Sequence, residues 1–83
     1  MPLEALPSSL SKALGSRVRG LRVALGLSQE RLARKLGMDR GDLSRLEAGK
    51  ANPTMARVAH LAAALGCEPS DLMRASAPRR PAA

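Results

Sequence analysis

Residues 28–49 read SQERLARKLGMDRGDLSRLEAG, and the fold turns on this stretch. Ser28 is a favourable N-cap, with Gln29 and Glu30 in the first turn behind it. Arg31 stands at N3, so no capping box forms there. Leu32, Ala33 and Leu36 fall on one helical face, and Gly37 closes the run. Only Met38 separates Gly37 from the next start signal, Asp39. Asp42, three residues on, has the capping-box position, although its side chain is shorter than that of Glu. Leu43 and Leu46 make a second inward face, and Ala48-Gly49 stops this helix after about two turns. The pattern predicts two short helices joined by the tight turn Leu36-Gly37-Met38-Asp39.

Working outward, Ser9 is a fair N-cap, and apolar residues recur at Leu10, Leu14, Val18, Leu21 and Leu25. That spacing paints one stripe on a preceding helix, which Gly26 ends. Gly15 and Gly20 weaken it by roughly 1 kcal/mol each relative to Ala, and Gly20 is the candidate for close helix approach. Downstream, Lys50 to Pro53 is a loop. Thr54 caps a fourth helix with inward Met55, Val58, Leu61, Ala62 and Leu65, stopped at Gly66. Pro69 suits the first position of a short fifth helix ending near Met73, with Leu72 inward and Glu68 as an indifferent cap. The expected organisation is an N-terminal arm over 1–8, containing Pro2 and Pro7, a folded domain over 9–74, and a disordered tail over 75–83. Five helices with short links leave no room for a sheet. The expected fold is all-α.

Composition narrows the function. The 83 residues contain no Phe, Tyr or Trp, so fourteen Leu and fifteen Ala must supply most of the core. One cysteine excludes an internal disulfide and a cysteine-based zinc site, which leaves helix packing or dimerisation for stability. No apolar run approaches the length of a membrane span, and the first residues lack the pattern of a signal peptide, so a soluble, cytoplasmic protein is expected. The net charge of +7 points to a polyanionic partner. Its placement is uneven: residues 11–57 hold eleven bases against Glu30, Asp39, Asp42 and Glu47, which accounts for the whole excess. A charged surface that merely keeps the protein soluble is the alternative.

The paired helices and their turn have the features of a helix-turn-helix: the small Ala33 where helices cross, Gly37 at the reversal, and Leu43 and Leu46 as anchors. Over residues 14–73 the chain resembles the XRE family of Cro and phage-repressor DNA-binding domains. The stretches that carry the likeness are Val18-Arg19-Gly20-Leu21-Arg22, Leu27 to Ala33, Leu43 to Lys50, Asn52-Pro53-Thr54 and Ala64-Leu65-Gly66-Cys67. The resemblance implies a compact five-helix bundle of the lambda-repressor-like type, with double-stranded DNA as partner and the third helix in the major groove. It assigns Gln29, beside Ser28, to a phosphate, as helix N-termini favour anions. Arg40, Gly41, Asp42, Ser44 and Arg45 are the base-reading candidates. Arg40 can bind guanine N7 and O6 in bidentate fashion, whereas Gly41 leaves one reading position blank. Asp42 suits a local cap better than a base contact, and Arg45 is either a DNA contact or a solvated arginine. Lys50 and Asn52 lie where relatives approach the backbone. Arg22 and Glu47 match a salt bridge that ties helix one to helix three. Arg17, Arg19, Arg31, Arg34 and Lys35 read as solvated charges that add salt-sensitive attraction.

His60 reads as a surface histidine and Cys67 as packing, since a redox thiol would be exposed and acidified. No catalytic set is legible, nor a cofactor, metal or small-molecule site. One recognition helix reads few base pairs, so a homodimer on a pseudo-palindromic operator is expected, its interface drawn from Leu65, Cys67, Pro69, Leu72 and Met73. The sequence therefore points to a bacterial or phage transcription regulator, a stand-alone repressor or controller acting at the nucleoid. The alternative from another class is a protein-interaction module, as in an antitoxin that binds an acidic partner.

Overall fold

The computed structural model describes residues 8–73, so most of the expected arm and the whole of the expected tail lie outside the described residues. Five helices follow in order: α1 Ser8–Ala24, α2 Gln29–Leu36, α3 Arg40–Glu47, α4 Met55–Leu65 and α5 Pro69–Met73. No strand occurs among the described residues.

Local chemistry sets most of these boundaries. The Ser28 hydroxyl accepts from the Arg31 N–H at 3.1 Å, and the Thr54 hydroxyl accepts from the Arg57 N–H at 3.0 Å. Each satisfies one donor that the first turn leaves without a helical partner. Gly37 adopts φ 68°, which a residue with a Cβ tolerates poorly. That conformation lets the Gly37 and Met38 N–H groups return to carbonyls at the end of α2, so the chain reverses at once into α3. Three expectations need correction at this level. α1 begins at Ser8, one residue before the expected cap Ser9. The Asp39 side chain makes no cap hydrogen bond; the Asp39 carbonyl instead receives the N–H groups of Asp42 and Leu43, both at 3.1 Å. The reach-back expected of Asp42 is found in α5, where the Asp71 carboxylate accepts the Glu68 N–H at 3.0 Å.

The core is aliphatic and draws on every helix. Leu14 and Val18 meet Leu32, Ala33 and Leu36 of α2, Leu43 and Leu46 of α3, Val58, Leu61, Ala62 and Leu65 of α4, and Leu72 of α5. Leu10 and Leu21 are only half-buried. Leu25 and Met55, expected inward, are 53% and 63% exposed. Leu25 lies beyond the last residue of α1, where the chain is already turning. Met55 opens α4 ahead of the turn whose Val58 enters the core.

Close approach of α1 and α3 depends on Gly15, not on Gly20. A Cβ at Gly15 would collide with the main-chain carbonyls of Leu46 and Glu47, the latter oxygen 2.6 Å away, whereas a Cβ at Gly20 would meet nothing within 4 Å. Overpacking against main chain costs about 1–3 kcal/mol, and an alanine in an open helix position gains up to about 1 kcal/mol. Gly15→Ala is therefore expected to lower the melting temperature and Gly20→Ala to raise it, by several degrees each in a domain of this size. Thermal denaturation of the two variants beside the parent checks both signs.

Candidate nucleic-acid interface

One side chain ties the start of α2 to the end of α3. Arg22, near the C-terminal end of α1, is buried and directs its guanidinium at two acceptors. Its Nε and Nη2 donate to the two carboxylate oxygens of Glu47, at 2.7 and 3.1 Å, and its Nη1 donates to the Leu27 carbonyl at 2.8 Å. The carboxylate oxygen that receives Nη2 also accepts from the Gln29 amide Nε2 at 3.0 Å. The Arg22 and Glu47 side chains are 11% and 4% exposed, so the pair is screened little by solvent. No buried side-chain nitrogen or oxygen among the described residues lacks a hydrogen-bond partner, so this polar node is satisfied.

Above the node lies an open groove of about 600 Å³. Arg19 comes to it from α1, Ser28, Gln29 and Glu30 from the start of α2, and Arg40, Ser44 and Ala48 from α3, with Arg22 and Glu47 in its lining. The lining brings three arginines, Arg19, Arg22 and Arg40, and two acids, Glu30 and Glu47, to the N-terminal end of α2. Arg40 and Ser44 stand one turn apart, so they share one edge of α3.

The other sequence candidates are placed differently. Gly41, Asp42 and Arg45 lie on α3 outside the groove lining, Gly41 and Asp42 on its exposed surface. Arg45 leans towards the following loop, its Nη2 donating to the Lys50 carbonyl at 3.3 Å. The Asn52 side-chain oxygen accepts from the buried Ser11 hydroxyl at 3.2 Å, which pins that loop to α1. Gln29 is committed in part to Glu47, so its amide is oriented before any ligand arrives. Arg19 reads from sequence as a solvated charge, but the fold brings it to the groove. Its position three residues before Arg22 puts both on one face of α1, which is the signal that places it there. Arg57 also acts in a way its sequence position does not announce. Its Nη1 donates to the Leu36 carbonyl at 3.3 Å and so caps α2 from α4.

The sequence pattern that defines a helix-turn-helix family matches residues 18–72, which span the node, the groove lining and the whole of α2 and α3. The chain belongs to this helix-turn-helix family, of the XRE and Cro-repressor type. Among solved structures it is similar to the hypothetical transcription factor NHTF from Neisseria, at 34% identity, 92% of this chain, 88% of that one and a TM-score of 0.77. It is also similar to the restriction-modification controller protein C.AhdI from Aeromonas hydrophila, at 42% identity, 80% of this chain, 98% of that one and a TM-score of 0.72. The P22 c2 repressor, solved in complex with a synthetic operator, gives 27% identity, 76% of this chain, 96% of that one and a TM-score of 0.71. No curated protein sequence matches the chain.

Away from the groove, at the C-terminal end of this helix-turn-helix protein, Leu65 and Leu72 of the expected dimer surface are 5% and 0% exposed in the chain's own core. Cys67, Pro69 and Met73 are half-buried at the same end. Burial raises the Cys67 thiol above its ordinary range, the Asp71 and Glu68 carboxylates raise it further, and Arg17 partly offsets them. His60 is exposed on α4, and no described helix is long and apolar enough to cross a membrane.

Arg22→Met leaves the Glu47 carboxylate without its cation, a loss of about 3–5 kcal/mol for a buried pair. That loss takes most of the stability of a small domain, and urea denaturation reads it directly. A raised thiol carries less thiolate at a given pH, so Cys67 should alkylate more slowly at pH 8 in the native chain than in denaturant. Equal rates would show that neither burial nor the two acids act on it.

Proposed function

We propose that this chain is a sequence-specific DNA-binding transcription regulator that inserts α3 into the major groove while the start of α2 holds a phosphate. The observation that carries this reading is the groove itself. Three arginines, a capped helix N-terminus and a pre-oriented glutamine converge on one concave surface of a helix-turn-helix. Arg40 and Ser44 are the base readers at the groove edge, with Gly41, Asp42 and Arg45 on the neighbouring face of the same helix. Arg40 at a guanine contributes about 1–3 kcal/mol of discrimination. Ser28, Gln29, Arg19, Lys50 and Asn52 serve the backbone on either side. The P22 c2 repressor was solved in complex with a synthetic operator, and C.AhdI is a restriction-modification controller protein, which supports a DNA-binding regulator.

One α3 covers few base pairs, so two copies on a pseudo-palindromic site are required for useful specificity. The homodimer proposed here uses the half-buried end of the molecule around Cys67, Pro69 and Met73. Such a regulator works in the cytoplasm, at the nucleoid.

Selection from random duplex DNA tests the reading. The expected result is an enriched palindrome, bound with an affinity that falls steeply as salt rises. Arg40→Ala should then relax selection at one base pair of each half-site, and Gln29→Ala should weaken all duplexes by a similar factor. Binding that is blind to sequence, or unchanged by both substitutions, would overturn the assignment.

A further inference from the structure

The outward face of α2 has no part in the groove or the core. α2 buries Leu32, Ala33 and Leu36 and contributes Gln29 and Glu30 to the groove. With 3.6 residues per turn, Arg31, Arg34 and Lys35 fall on the side opposite the core. All three are exposed, and none forms an ion pair among the described residues. Together with Leu27 they line a second concavity, of about 300 Å³, which shares no residue with the groove. Leu27 is the one apolar residue of its lining and the other three are cationic, with no acid among them. Earlier in the chain, Val23 and Leu25 are 58% and 53% exposed. This platform is rigid, because Arg22 holds the Leu27 carbonyl and the Leu27 N–H donates to the Arg22 carbonyl at 3.0 Å. Little ordering is therefore needed when a ligand arrives.

We propose that the outward face of α2 docks an acidic segment of another protein, whose large apolar side chain seats on Leu27 between Arg31, Arg34 and Lys35. Charge complementarity selects the carboxylates, and the apolar floor selects a protein over a nucleic acid. A phosphate backbone would meet the three cations yet gain nothing by covering Leu27, Leu25 and Val23. The inference stands apart from the DNA reading, since failure of the parent chain to bind any duplex would leave it untouched. It also gives the protein a means of recruiting a partner while its groove is occupied.

The test is selection from a displayed library of random dodecapeptides on the full chain, with Arg31→Gln/Arg34→Gln/Lys35→Gln as counter-target. All three positions are exposed, so the variant keeps the parent's melting curve. The expected peptides carry acids around one large apolar residue and bind the triple variant at least about tenfold more weakly. Val23→Ser/Leu25→Ser, also confined to exposed positions, should weaken the same peptides without changing their acidic preference. Two results overturn the proposal. One is a library that yields no acidic and apolar consensus separating parent from triple variant. The other is displacement of the selected peptides from the parent by a duplex, which would make this face a tracker of phosphates.

Discussion

The contact between Arg22 and Glu47 is the constraint on which the rest of this structure depends. One guanidinium reaches the end of α3, the link between α1 and α2, and, through the shared carboxylate, the first residue of α2. Both charges have left water, so the pair has value only while its geometry is near ideal and every remaining lone pair is used. Here the carboxylate receives three donors, two from Arg22 and one from Gln29. An apolar substitute of similar volume could hold α1 against α3. It could not also orient the Gln29 amide at the groove and hold the Leu27 carbonyl.

Space matters as much as charge. A core of Leu, Val and Ala offers no large ring to fill a gap, so helices must approach closely to gain dispersion contact. Gly15 provides that approach where α3 ends over α1, and the Ser11 to Asn52 hydrogen bond fixes the loop that follows. Through these contacts α3 is held at its C-terminal end, while Arg40, Gly41 and Asp42 at its start stay exposed ahead of the anchoring Leu43. A helix of only eight residues would be marginal alone, and tertiary contact is what stabilises it.

Much of this is legible in the sequence because it rests on local rules. Caps at Ser28 and Thr54, the reversal at Gly37 and the spacing of Leu32, Leu36, Leu43 and Leu46 each follow from the chemistry of a few neighbouring residues. What escapes sequence reading depends on three-dimensional partners. Gly15 and Gly20 look alike in a helical pattern, and only the carbonyls of α3 tell them apart. Leu25 and Met55 fit an apolar stripe but sit at helix ends, where the stripe has already left the core. Leu65 and Leu72 read as surface for a second copy, and both are buried in the chain's own core. Arg57 cannot be distinguished from other arginines of the chain without knowing that the end of α2 lies across from it.

The most direct measurement is the change in backbone amide chemical shifts as an enriched duplex is titrated into the chain. If the node presents the groove to DNA, the largest changes fall at Ser28, Gln29 and Glu30 and along Arg40 to Ala48, with Arg31, Arg34 and Lys35 little affected. Changes centred on the outward face of α2, or on α4 away from the groove, would contradict it.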